Sequence, residues 1–181
     1  MGLAEAIDYH FGQKIGLYIP ARNKEDFRSV ILSLLEQAYS RLVVVSGELS
    51  SYIYDSNYAS ILKRRLDMSP DFHASFLFSK EESLSEKTPE GALKGFQKQN
   101  ADLWNLKSDS SYGDRIKVYW DVRYPLNHFQ VGDDTVFLQR KHKHGDPAGA
   151  FLRRNSQKFA DRYARYFTDD VIKQSDIHEI S

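Results

Sequence analysis

Six residues, Arg41 to Ser46 (RLVVVS), leave this chain few ways to fold. They form a continuous apolar run, β-branched at its centre and too short for a helix, which is how a strand covered on both faces reads. Just upstream, Phe27, Val30, Ile31, Leu34, Leu35 and Ala38 recur at helical spacing on one face. Asn23 as N-cap, with Glu25 and Asp26 in the first turn, marks where that helix starts.

The alternation continues downstream. A helix is expected over Asn57 to Leu66, with Tyr58, Ile61, Leu62 and Leu66 inward, then a strand over Phe72 to Phe78 (FHASFLF). Lys80 to Glu90 is polar, contains Pro89 and reads as a loop. Leu93, Phe96, Leu103 and Trp104 predict one helix from about Glu90 to Leu106, and Arg115 to Trp120 (RIKVYW) alternates as a strand. A hairpin beginning at His128 follows, expected at a sheet edge. A closing helix over Ser156 to Lys173 carries Phe159, Tyr163, Tyr166 and Phe167 on one side. This order predicts an α/β fold: a mixed, largely parallel central sheet flanked by helices on both faces. Residues 1–22 read as an N-terminal segment, with an added strand at Lys14 to Ile19, and residues 23–181 as a single domain.

Composition narrows the function classes. Of 181 residues, 41% are apolar and 28% charged, the balance of a globular chain with a sizeable core. Twenty-five basic and 25 acidic side chains cancel, which argues against a general nucleic-acid coat protein. The absence of cysteine excludes disulfides, thiolate metal sites and cysteine catalysis. No run of about 18 apolar residues occurs, and the first residues lack the basic and apolar blocks of a signal peptide. A cytoplasmic protein without a cofactor is the expectation.

Chemistry concentrates in His128-Phe129-Gln130-Val131-Gly132-Asp133-Asp134-Thr135. A histidine opens a short apolar strand, a place that suits a nucleophile of phosphodiester cleavage and equally an ordinary hairpin residue. Asp133 and Asp134 read as a tight turn, for which Asp is well suited. Arg140-Lys141-His142-Lys143-His144 is the densest basic cluster, a phosphate site or a solvated loop. Ser46 to Ser51 follows the first buried strand, and ligands of open α/β sheets bind beyond the carboxyl ends of the strands. That loop lacks the lysine and repeated glycine of a phosphate-cradling P-loop. Arg123-Tyr124-Pro125, just before His128, holds the best placed aromatic.

In order and texture, the stretch from about Glu25 to Ile177 resembles one half of a phospholipase D superfamily protein. The family motif is His-x-Lys, four residues, then Asp. Its histidine attacks phosphorus and forms a phosphohistidine, while the lysine stabilises the phosphoryl oxygens. Here His128 matches the histidine, Gln130 stands at the lysine position and Thr135 at the aspartate position, with Asp133 and Asp134 two and one residues early. Losing such a donor costs roughly 10²–10³ in rate. The resemblance therefore implies a noncatalytic module that binds a phosphate-bearing ligand (phospholipid or nucleic acid) or a partner protein. His128 and Gln130 would form its pocket, with Arg123, Arg140, Lys141 and Lys143 at the rim. It also leaves two alternatives open. One is a dimeric single-motif nuclease or phosphodiesterase, metal-independent, using His128 from each chain. The other is a structural subunit of a larger assembly. Homodimerisation fits the resemblance, because single-motif relatives pair their motifs across a two-fold axis.

Overall fold

The computed structural model describes residues 17–19, 24–46, 49–79, 88–121, 128–139, 150–153, 156–174 and 177–180. In chain order these form β1 (Leu17–Ile19), α1 (Lys24–Gln37), β2 (Arg41–Ser46), α2 (Ser56–Met68) and β3 (His73–Ser79). There follow α3 (Pro89–Gln99), α4 (Ala101–Ser108), a 3₁₀ turn (Gly113–Arg115) and β4 (Ile116–Asp121). Next come β5 (His128–Gly132), β6 (Thr135–Gln139), β7 (Ala150–Arg153), α5 (Gln157–Arg165), a π-helical turn (Tyr166–Val171) and β8 (Ile177–Glu179).

All eight strands join one sheet in the order β1-β7-β6-β5-β2-β3-β4-β8. β2, β3 and β4 are parallel neighbours, and every other pairing is antiparallel. Both parallel crossovers step in the same direction, so the right-handed rule puts α2 and the α3–α4 pair on one face of the sheet. The strands show the two-residue period this requires. Leu42, Val44, Ala74, Phe76, Phe78, Ile116, Val118 and Trp120 pack in one core with buried residues of α1 to α4. Val43, Val45, Leu77, Phe129, Val131 and Val136 face the other way, against Ala160, Phe167 and Val171 of α5 and its π turn. The expected mixed α/β sheet with helices on both faces is what forms, with its parallel part confined to three strands.

Two expectations need correction. The His128 hairpin is not at a sheet edge: β5 lies between β6 and β2, with β7 and β1 beyond β6. Those outer strands are three and four residues long, too short to show a period in sequence. The helix expected over Glu90 to Leu106 is broken at Asn100, which has φ −130° and ψ 49° and is buried. The Asn100 side chain makes no cap hydrogen bond there, and among the described residues its buried Oδ1 has no partner. The break lets Phe96 and Trp104 meet edge to face at 6.3 Å. Asn23, the expected N-cap of α1, lies outside the described residues.

Candidate functional site at the carboxyl ends of the parallel strands

The register aligns Ser46, Phe78 and Trp120 across the carboxyl ends of β2, β3 and β4, with Asp121 next in line and buried. β5 runs the opposite way, so its first residue arrives at the same edge. Val45 pairs with Phe129, and Ser46 and His128 are the next residues along the two strands. The backbone thus brings His128 to the edge where open α/β sheets place their ligands. The His128 side chain lies outside the described atoms.

Beyond Ser46 the chain enters α2 through a cap that fixes this rim. Asp55 is the N-cap, accepting from the Tyr58 amide at 3.0 Å, and its carboxylate pairs with Arg28 of α1 at 2.6 Å. Partial burial works to raise the Asp55 carboxyl, but the Tyr58 amide and Arg28 outweigh it and hold the group below its usual range. Tyr54 and Tyr58 stack edge to face at 4.9 Å. Burial drives both phenols far above their usual range, and the hydrogen bond between Tyr54 and Ser46 offsets only part of that. Neither phenol ionises near neutrality, so both side chains are neutral packing groups at this rim. Among the described residues neither the buried Tyr58 hydroxyl nor the buried Trp120 Nε1 has a hydrogen-bond partner.

Gln130, expected to line a pocket beside His128, is 2% exposed within the core that faces α1. It lies between Val44 and Phe137 on the neighbouring strands, and its Nε2 donates to the Ile31 carbonyl at 3.4 Å. Its Oε1 has no partner among the described residues.

The other motif positions are at the far end of the hairpin. Positions 128 and 132 are four residue steps apart along the strand, about 13 Å. Asp133 follows with φ 46°, the left-handed region that Asp tolerates better than most residues. Its carboxylate accepts from the Tyr39, Ser40 and Arg41 backbone N–H groups at 2.5, 3.1 and 3.2 Å, and from the Ser40 hydroxyl. Arg41 Nη2 donates to the Asp133 carbonyl at 2.8 Å and to Asp161 of α5 at 2.5 Å. A Cβ at Gly132 would meet Leu34 Cδ2 at 2.7 Å, so the strand passes hard against α1. Thr135 is buried and its hydroxyl donates to Asp134 at 3.0 Å. Asp133 therefore ties the turn to the α1–β2 junction, the architectural reading of the acidic pair.

Arg123, Arg140, Lys141 and Lys143 lie outside the described residues, as does Tyr124. Among the described residues no group of three or more His, Asp or Glu could hold a metal ion, and no helix is long and apolar enough to cross a membrane. Trp120 was readable in the sequence only as a strand residue. Its place at the edge needed the register.

No family model and no curated protein matches the chain. Solved structures do. One is TrmBL2, an archaeal chromatin protein described as showing a novel mode of DNA binding, with a TM-score of 0.60 at 10% identity. That match covers 95% of this chain and 59% of the other. Another is a phosphatidylserine synthase of Haemophilus influenzae Rd KW20, with a TM-score of 0.59 at 12% identity, covering 98% of this chain and 43% of the other. The fold is phospholipase D-like. This chain thus spans 59% and 43% of these two proteins' lengths, and at such identities the phospholipase D-like likeness is one of fold alone.

Proposed function

We propose that the chain is a noncatalytic phospholipase D-like module that binds a phosphate-bearing ligand at the carboxyl edge of β2, β3 and β4. The observation that carries this reading is the burial of Gln130. The residue at the resemblance's lysine position is inside the α1-facing core, its amide turned to the Ile31 carbonyl. A side chain there does not meet a phosphoryl oxygen arriving from solvent, and it carries no charge to stabilise one. Of the aspartates that follow, Asp133 is occupied by Tyr39, Ser40 and Arg41 at the opposite end of the strand, and Asp134 accepts from Thr135. His128 stands without either helper. Binding is supported by the fold's company, a DNA-binding chromatin protein and a phosphatidylserine synthase, both of whose descriptions involve a phosphate-bearing molecule. It is supported also by the sequence around the edge. Arg123 comes two residues after β4, and Arg140, Lys141 and Lys143 follow Gln139, the ladder partner of His128.

The test pairs binding with turnover. Fluorescein-labelled DNA and phosphatidylserine vesicles are titrated with the protein. A chromogenic phosphodiester is then incubated with it without metal, beside His128→Ala. Saturable binding of at least one phosphate-bearing ligand with no turnover above buffer is the expected result. Turnover that disappears in His128→Ala overturns it in favour of the single-motif phosphodiesterase.

A further inference from the structure

The outer face of α5 carries a line of cations that the edge site does not use. Lys158, Arg162 and Arg165 are all exposed, and at 100° per residue they fall within an arc of about 60°. Along the axis they are spaced about 6 Å and 4.5 Å apart. Arg153 of β7 extends the line at its start, its guanidinium 4.7 Å from the Phe159 ring centroid. None of the four has a carboxylate within ion-pair distance among the described residues, although Arg165 acts on Asp161 through space. The carboxylate in the same helix, Asp161, is held by Arg41 and Gln157, and Asp169 beyond the helix is paired with Lys173. In a chain whose charges sum to zero, this face is locally basic.

The line also has a direction. α5 starts beside the hairpin turn, where the Ser156 amide donates to the Asp134 carbonyl at 3.1 Å. It ends near the head of β5, where the Tyr163 and Tyr166 rings lie 5.2 and 6.3 Å from Phe129, the neighbour of His128. Tyr166 is 42% exposed beside Arg165, a face on which a base can stack. A row of cations ending at an exposed aromatic suits an anionic polymer with regularly spaced phosphates and flat bases. It does not suit insertion into lipid, because the apolar side of α5 and its π turn (Ala160, Ala164 and Phe167) is already buried on the sheet.

We infer that the exposed face of α5, from Arg153 through Lys158, Arg162 and Arg165 to Tyr166, is a contact surface for the phosphate backbone of a nucleic acid that extends from the His128 edge. This rests on the reading of the chain as a phosphate-ligand module and names the ligand class and the surface. The test uses fluorescence anisotropy of the full chain with labelled 20-nucleotide single-stranded and duplex DNA (about 68 Å as duplex, several times the roughly 14 Å of α5) across a salt series. Phosphatidylserine vesicles serve as the second ligand. The wild-type protein, Lys158→Gln/Arg162→Gln/Arg165→Gln and the remote control Lys94→Gln/Lys98→Gln are compared. Loss of the three cations is expected to weaken DNA binding roughly 10-fold or more and to flatten the slope of log K against log salt by about 2 to 3. The control variant, with two exposed lysines of α3, should change neither. An unchanged melting temperature in the triple variant shows that the fold is kept. A wild-type salt slope below about 2 in magnitude overturns the inference without any variant. DNA binding unaffected by the triple substitution overturns this surface and leaves the module reading in place. Binding of vesicles without binding of DNA overturns the choice of nucleic acid alone. Binding of neither overturns both.

Discussion

The two ends of the β5–β6 hairpin are built on opposite terms. At the turn, the Asp133 carboxylate is held by three backbone amides and a hydroxyl from the α1–β2 junction, and Gly132 passes against Leu34 with no room for a Cβ. At the open end, His128 comes to an edge shared with Ser46 and Trp120, where the buried Tyr58 hydroxyl and Trp120 Nε1 have no partner among the described residues. Midway between them Gln130 is core. Residues that read in sequence as one short motif thus divide into a structural clamp, a buried strand position and an edge. Closeness in sequence along a strand is not closeness in a site, because each residue adds about 3.3 Å.

The sharpest way to break this division is to restore the missing lysine. Gln130→Lys puts an ammonium into the α1-facing core and is expected to cost about 4 kcal/mol of stability without creating phosphodiesterase activity. Gln130→Met removes an unpaired buried oxygen and should stay within about 1 kcal/mol of wild type. Urea denaturation of both separates core from site. If Gln130→Lys were as stable as wild type, position 130 would have access to solvent. At the turn, Asp133→Ala removes several charge-assisted bonds and leaves Ala in a left-handed conformation, an expected loss of about 3 kcal/mol. Gly132→Ala overpacks against Leu34 and Ala38 and should cost about 2 kcal/mol. Either variant melting like wild type would dissolve the clamp.

At the rim the effects are smaller. Asp55→Ala removes the α2 cap and the Arg28 partner, with an expected loss of about 1 kcal/mol. The Asp55 carboxyl is held below its unfolded value of 3.8, so its contribution is fully present above that pH and is lost as pH falls through the lower folded value. An acid-unfolding series should therefore show wild type losing stability below about pH 3.8 more steeply than Asp55→Asn. Equal slopes would mean that the Arg28–Asp55 pair adds nothing.

The fold was largely legible from periodicity. RLVVVS is β2 with the bounds expected, and the apolar residues read on the first helix, from Phe27 to Ala38, are all buried. What hid was short or non-periodic: β7 and β8, the break at Asn100, and the π turn that replaces the end of the expected last helix. Tyr166, read on one side of that helix with Phe159, Tyr163 and Phe167, is exposed, and Ala160 and Ala164 take buried positions beside Phe167. Small residues carry little apolar signal, so a helix lying close on a sheet is easily rotated in a sequence reading. The candidate site was legible only in part. The backbone of His128 comes level with the end of β2 through a register that no single segment encodes. The burial of Gln130 depended on β6, β7 and β1 pairing outside it, which placed β5 in the middle of the sheet.

The most direct measurement is metal-free hydrolysis of a chromogenic phosphodiester by the wild-type protein and by His128→Ala at matched concentration. The same background rate in both is the predicted result, with binding of the phosphate-bearing ligand measured alongside. A wild-type rate clearly above buffer that falls to background in His128→Ala would contradict it.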